Sequence, residues 1–168
     1  YQGHFFNAGI PSARFTPAGP DHAQIATVNG VMDYMEAVHE HHFDDAVPVE
    51  QQAERVRTLF RDHESELLQP LLDYLDNCSH VQLLGKRHCR DGDRAPTIAF
   101  RPLHQSSAQL AASMQADGIG TESGNFYAPR ALEHMGIDPV DGIVRISLLH
   151  YNTAEDVEKI LVALDRAL

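Results

Sequence analysis

Apolar residues recur at helical spacing over the first half of the chain. The first such stretch follows Asp21, a residue type that often caps a helix N-terminus, and predicts a helix from about residue 22 to residue 42. The second follows residues 47 and 48 and keeps the same period to about residue 75, although Pro70 lacks the N–H that a helix interior requires. We therefore expect one long helix, and then a helical region that Pro70 breaks or kinks into two segments.

After residue 80 the pattern changes to short runs of β-branched and leucine residues, which are typical of strands. Segments 81–85 and 97–102 flank a charged loop that contains Asp91 and Gly92, a turn signal, and they predict a β-hairpin. The pattern then predicts a helix over 107–116, a strand over 119–124, a short helix from Pro129 to Gly136, a strand from 142 and a last helix after Thr153. This order is typical of an α+β layer with helices on one face of a sheet.

Composition narrows the choice of function. The chain has 168 residues, with 13 basic and 24 acidic side chains and a formal net charge of −11. This balance argues against binding to nucleic acid or to an anionic membrane surface, and no apolar run approaches the roughly 20 residues that span a bilayer. The two cysteines, Cys78 and Cys89, lack the CxxC spacing of a zinc or redox motif, which fits a cytoplasmic location.

Arg145 lies inside the strand-like stretch GIVRISLLHYNT. Alternation along a strand directs Val144, Ile146 and Leu148 to one face and Arg145 to the other. A guanidinium stays charged in a protein, so it needs an acidic side chain, an anionic ligand or water. The residues alone leave three interpretations open: a structural ion pair, an exposed position at the edge of the sheet, and a site for an anion.

Three histidines in HEHH, His39, His41 and His42, are candidate metal ligands because imidazole binds transition metals. Histidines at the C-terminal end of a helix also complement the negative pole of its dipole. We therefore expect a solvated helix end here rather than a metal site.

The segment from Asp138 to Leu168, DPVDGIVRISLLHYNTAEDVEKILVALDRAL, resembles the C-terminal end of class V aminotransferases and cysteine desulfurases. In that family an arginine-bearing strand precedes a Tyr-Asn-Thr sequence and a final helix. Upstream, PTIAFRP and GIGTESGNFYAP resemble the hairpin strand and active-site loop of the family, and PAGPDHAQI resembles its PGTPNxxxI element. The resemblance covers most of the chain, is strongest after Pro96, and is closest to a desulfurase-like subfamily.

The resemblance implies a pyridoxal 5′-phosphate enzyme of the aspartate aminotransferase fold (fold type I) that acts on a small amino acid. Within that fold the chain is similar to the C-terminal small domain, a mostly antiparallel sheet with helices on one face. Residues 1–78 would form a lead-in segment and connecting helices, and residues 79–168 the small domain. The chain starts without methionine, and neither Lys86 nor Lys159 matches the family's cofactor-binding lysine. We therefore expect a piece of a longer enzyme, inactive and without bound cofactor when isolated.

The resemblance also implies roles for particular residues. Arg145 would bind the substrate carboxylate, and Asn125 and Tyr127, in the active-site loop, would contact the substrate. Gly19 and Pro20 match the element that contacts the cofactor phosphate of a partner subunit, which implies a homodimer. Tyr127 occupies the position of the desulfurase cysteine, so we do not expect persulfide chemistry in this loop.

Two other classes of protein stay open at this point. One is a free-standing α+β ligand-binding or regulatory domain without catalysis, in which Arg145 would be structural. The other is a metal-binding protein that uses the histidine cluster. The pyridoxal-phosphate enzyme accounts for more of the sequence than either of these classes. In that interpretation the chain works together with its own large domain and binds no metal.

Overall fold

The computed structural model describes residues 9–11, 21–89 and 94–168, and the chain divides after Arg57 into two compact units. In the first unit, helix α1 spans His22–His42, as predicted. The Asp21 carboxylate accepts a hydrogen bond of 3.1 Å from the backbone N–H of Gln24 and so caps the helix. The Asp91-Gly92 turn, Gly19 and Pro20 lie outside the described residues.

Helix α2 spans Val49–Asn77 and contains Pro70. The expectation of two separate segments is therefore wrong. Pro70 lacks the N–H that would bond the carbonyl of Glu66, but the leucines on both sides of it are buried against one core. Their packing outweighs the loss of one hydrogen bond, because one buried leucine contributes roughly 1.5–3 kcal/mol. These leucines are Leu67, Leu68, Leu71, Leu72 and Leu75.

The rest of the chain follows the predicted order of strands and helices. The elements are β1 (Val81–Leu84), β2 (Thr97–Pro102), α3 (Ser107–Ala116), β3 (Glu122–Gly124), α4 (Pro129–His134), β4 (Ile143–Ser147) and α5 (Ala154–Ala167). Ser106 and Thr153 each form a capping box, with Gln109 and Asp156 respectively, and so determine where α3 and α5 begin. Pro129 lies in the first turn of α4, and Gly136, at φ +70°, follows its end.

The four strands form one antiparallel sheet in the order β1-β2-β4-β3. β4 is a central strand: Ile146 pairs with Ile98 of β2, and Val144 with Phe100, while β3 lies on its other side. The predicted α+β class, hairpin and antiparallel sheet are confirmed. The predicted domain boundary at residues 78 and 79 refers to a longer enzyme and stays a prediction.

One face of the sheet carries the main core. Ile98 and Phe100 of β2 and Val144 and Ile146 of β4 are buried there together with apolar side chains of α2, α3 and α5. Every second residue of β2 and β4 is thus buried on this face, which is the pattern expected when one face of a sheet packs on the core and the other is more open to solvent. The main core therefore fixes which side chains of β4 point away from it.

The opposite face of the sheet is only partly covered. A smaller cluster of Leu132, Ile137 and Ile143 packs there with Leu84, Ala99 and Phe126. The expectation of helices on one face thus holds for α2, α3 and α5, whereas the short α4 contributes Leu132 to the other face. Within the described ranges, no helix combines the length and apolar character that crossing a bilayer requires.

Strands β3 and β4 approach very closely at a pair of glycines. Gly142 has φ +71°, and a Cβ placed on it would lie 2.2 Å from the carbonyl carbon of Gly124. Only a residue without a side chain fits between the two backbones. This contact holds the start of β4 against the end of β3, directly before the loop that follows Gly124.

We predict that Gly142→Ala lowers the free energy of unfolding by about 2 kcal/mol or more, because both the clash and the positive φ oppose the new side chain. Urea denaturation measures this change. Gly118→Ala is the matched control, since Gly118 has φ +81° but open space around it. Equal losses in the two variants would show that backbone strain alone, and not the close approach, matters at Gly142.

Candidate functional site

Strand β4 presents Arg145 on the partly covered face of the sheet. Its neighbours Val144 and Ile146 are buried, whereas Arg145 is exposed. In the strand register Arg145 lies opposite Ala99 on one side and Glu122 on the other. The predicted alternation is confirmed, and the charge lies at the surface of the sheet rather than within the core.

The guanidinium of Arg145 stacks on an aromatic ring. Its central carbon lies 4.2 Å from the centroid of Phe126, well inside the range of about 6 Å for a cation–π contact. Among the described residues, no carboxylate lies within the 4.0 Å that would make an ion pair with Arg145. A structural ion pair is thus not seen in the described part of the chain. The edge position is wrong as well, because Arg145 is exposed on a strand that lies between β2 and β3.

Phe126 belongs to a tight turn between Asn125 and Ala128. The N–H of Ala128 donates to the carbonyl of Asn125 at 2.8 Å. Phe126 and Tyr127, the two central residues, have φ +47° and φ +61°. Residues with side chains rarely adopt this region, and each such residue costs roughly 1–3 kcal/mol. Strain of this kind tends to occur at functional sites.

Asn125 holds the strained turn in place. Its Oδ1 accepts a hydrogen bond of 3.0 Å from the N–H of Tyr127, and its Nδ2 donates to the carbonyl of Pro139 at 3.3 Å. Both ends of the amide are therefore used within the protein. The side chain of Tyr127, by contrast, is fully exposed.

The structure thus brings together part of the predicted site. Arg145 and the turn of Asn125 and Tyr127 lie at one place, and Phe126 connects them. Sequence reasoning missed Phe126, because an aromatic residue gives no sign that its backbone adopts a positive φ. Its position directly after Asn125, a residue that often begins turns, was the one available signal. The predicted binding roles of Arg145, Asn125 and Tyr127 stay predictions.

The sequence YNT after β4 has a structural role in this chain. The Asn152 Oδ1 accepts a hydrogen bond of 2.8 Å from the N–H of Leu149, and Thr153 caps α5. The Thr153 N–H, and to a smaller extent the Asn152 amide, donate to the Asp156 carboxylate and lower its pKa. The ionised Asp156 therefore contributes to the stability of the folded state above about pH 4, the ordinary range of an aspartate, and this contribution is lost as the pH falls further.

Lys159 does not suit a covalent cofactor site. It is exposed on α5, and its ammonium lies 3.0 Å from the carboxylate of Glu155, which raises its pKa. A lysine that reacts as a neutral amine needs the opposite change, a lowered pKa. Lys159 on α5 therefore does not fit the role of a lysine that binds pyridoxal phosphate.

Each of the two units contains one further feature. A cleft of about 560 Å³ lined by Tyr74, Cys78, His80 and Asp165, among others, contains no residue of β4 or of the 125–128 turn. In the first unit, His39 is buried and stacks on Phe43 at 5.0 Å, so the expectation of a fully solvated histidine cluster is wrong for that residue. No group of metal ligands occurs in the described ranges.

We predict that Tyr127→Asn raises the free energy of unfolding by about 0.5–1 kcal/mol, because asparagine tolerates a positive φ better and the exposed ring contributes no packing. Chemical denaturation of the two proteins measures the difference. Tyr151→Asn provides the control, because Tyr151 is also an exposed tyrosine but has no positive φ. A gain at both positions, or at neither, would contradict the assignment of strain to this turn.

Comparison with known proteins gives consistent results. The family model described as Aminotransferase class-V matches residues 53–160. The aminotransferase-like protein FGM3 of Gibberella zeae is 33% identical over 109 residues, which cover 64% of this chain and 27% of that protein. The cysteine desulfurase-like protein ustD of Aspergillus flavus is 30% identical over 105 residues, covering 61% and 24%. This chain thus spans about a quarter of the length of these relatives.

Solved structures agree on the fold. The apo cysteine desulfurase of Thermococcus onnurineus NA1 superimposes with a TM-score of 0.59 at 23% identity, over 71% of this chain and 28% of that one. The cysteine desulfurase CsdA of Escherichia coli gives a TM-score of 0.56 at 20% identity, over 74% and 32%. The matched segment thus has part of the fold of these fold type I proteins. Because the family model covers more than half of the chain, this protein belongs to the class V aminotransferase family.

Proposed function

We propose that this chain is the C-terminal small domain of a pyridoxal-phosphate enzyme that acts on a small α-amino acid, and that Arg145 binds the substrate's α-carboxylate. The observation that carries the proposal is an exposed arginine on a central strand, stacked on Phe126 and without an acidic partner among the described residues. Membership of a pyridoxal-phosphate-dependent family supplies the chemical context.

A planar guanidinium suits this role. It holds a carboxylate through two parallel N–H···O bonds, which fix both the position and the rotation of the substrate. When bound, the cofactor withdraws electrons from the substrate Cα, and the orientation of the substrate decides which bond at Cα reacts. Arg145 would set that orientation from the sheet side of the active site.

The other parts of the site belong, in this proposal, to the remainder of a longer enzyme. The cofactor lysine would come from a large domain, since Lys159 is ion-paired on α5. Gly19 and Pro20 would face the cofactor phosphate of a second subunit in a cytoplasmic homodimer. Asn125 would act by shaping the turn, because its amide is occupied there, and the exposed Tyr127 would contact the substrate directly.

The proposed reaction does not pass sulfur through the 125–128 turn, because the phenol of Tyr127 cannot form a persulfide. A free-standing regulatory or binding domain is less favoured, since the family match covers residues 53–160.

We predict that Arg145→Lys lowers kcat/KM of the full-length enzyme by a factor of roughly thirty to several thousand, which corresponds to about 2–5 kcal/mol for a charged two-point contact. The melting temperature should change little, because Arg145 is exposed and makes no ion pair with a described residue. Steady-state kinetics with the reconstituted enzyme and a panel of amino acids measure the first quantity, and thermal denaturation the second.

Arg101→Lys is the matched control, since Arg101 lies on the same sheet face in the neighbouring strand β2. If Arg145→Lys instead unfolds the protein and leaves substrate affinity intact, Arg145 is a structural residue. Borohydride reduction of the reconstituted enzyme should attach the cofactor to a lysine other than Lys86 or Lys159.

We also predict that sulfide release from L-cysteine, if the full-length enzyme catalyses it, does not depend on a thiol of this chain. The two thiols are Cys78 and Cys89, and both lie outside the 125–128 turn. Replacing both by serine should leave the rate of sulfide release unchanged in a colorimetric sulfide assay. A large loss of rate in the double variant would mean that one of these cysteines carries the sulfur.

A further inference from the structure

We propose that Phe126 is a positioning residue for Arg145, whose ring keeps the guanidinium away from Glu122 and ready for a substrate carboxylate. This inference rests on the proposed function, because it concerns how the same carboxylate-binding group is held before the substrate arrives.

Glu122 is the natural competitor for Arg145. The two residues lie directly opposite each other in the register of β3 and β4, so their side chains project from the same sheet face. Opposite charges in such cross-strand positions normally attract each other and pair. Glu122 is exposed, yet no ion pair within 4.0 Å joins it to Arg145. Something in the site must therefore direct the guanidinium elsewhere.

The ring of Phe126 supplies that alternative. It lies against the guanidinium with 4.2 Å between the ring centroid and the central carbon. An aromatic ring attracts a cation through its face, whereas a carboxylate accepts hydrogen bonds from the N–H edge of a guanidinium. The stack thus uses none of the N–H donors. An ion pair with Glu122 would occupy the same donors that a substrate needs.

Phe126 can do this because its own position is fixed. The hydrogen bonds of Asn125 hold the turn, and the ring packs against the small cluster that contains Leu132 and Ile137. The left-handed backbone at Phe126, φ +47°, is the geometry that puts the ring where Arg145 meets it. The strain of this turn therefore has a use: it places an aromatic surface beside the one exposed arginine of β4.

The consequence for binding is a population effect. Apparent affinity falls in proportion to the fraction of protein in the competent state. If Arg145 spent most of its time paired with Glu122, each substrate would first have to break that pair. Phe126 removes this cost, so its loss should weaken substrate binding without changing the chemical step.

The test compares four variants of the full-length enzyme reconstituted with pyridoxal phosphate: Phe126→Leu, Phe126→Tyr, Glu122→Gln, and Phe126→Leu combined with Glu122→Gln. Phe126→Leu should raise KM for the amino-acid substrate roughly twofold to fivefold, the size of a cation–π contact at an exposed site, with kcat nearly unchanged. Phe126→Tyr keeps an aromatic face and should behave like the wild type. The double variant should recover most of the loss, because the uncharged amide at position 122 no longer attracts the arginine.

A second readout needs no activity. In a ¹H–¹⁵N spectrum of the 168-residue chain, the Nε–H signal of Arg145 should be shifted upfield by the ring current of Phe126. The shift should persist in Phe126→Tyr and in Glu122→Gln, and disappear in Phe126→Leu. An unshifted signal in the wild type overturns the inference even if the leucine variant fails to fold, and melting curves establish whether it folds.

Arg145→Gln separates this inference from the proposed function. If Arg145→Gln leaves KM unchanged, Arg145 is not the carboxylate clamp and the proposed function fails, even where the upfield shift is present. If Arg145→Gln raises KM but Phe126→Leu does not, the clamp stands and the positioning role of Phe126 is wrong. A leucine variant with raised KM that Glu122→Gln does not rescue rejects the competition with Glu122.

Discussion

The pleat of β4 is the constraint on which both the core and the candidate site depend. Val144 and Ile146 of β4 are buried between the sheet and helices α2, α3 and α5. Because successive side chains of a strand point to opposite faces, Arg145 then lies on the other face. A shift of the pairing by one residue would bury the guanidinium and expose both apolar side chains. The packing that stabilises the sheet therefore also holds the backbone of β4 in place, and with it the position from which the Arg145 side chain extends.

The turn that follows β3 works against stability and has to be supported by its surroundings. Two consecutive residues with positive φ cost roughly 2–6 kcal/mol together. Full burial of one large apolar side chain contributes roughly 1.5–3 kcal/mol, so two or three such residues offset the cost. The small cluster of Leu132, Ile137 and Ile143 lies beside the turn and is of this size. The second face of the sheet is thus covered just where the strained turn needs support.

The sequence was sufficient to predict elements whose ends are determined by local chemistry, such as the capping residues Asp21 and Thr153 at the starts of α1 and α5. It failed at Pro70, because the leucines on both sides of that proline hold one helix together only in the assembled core. The candidate site likewise contains one residue that local sequence identifies and one that depends on tertiary contacts. Arg145 could be found from alternation and charge, which are properties of neighbouring residues. Phe126 could not, because its role comes from a backbone conformation that its side chain disfavours and from a contact between separate segments.

The close approach of Gly142 to Gly124 also limits how this sequence can change over evolutionary time. A side chain at position 142 would meet the backbone of Gly124, whereas a Cβ at position 124 would meet nothing within 4 Å. The two glycines therefore differ in how readily they can be replaced. A substitution at position 124 is opposed by the positive φ of that residue, whereas a substitution at position 142 also requires β3 to move. Since β3 leads directly into the turn that carries Phe126, a lineage that lost Gly142 would have to rebuild the surroundings of Arg145 as well.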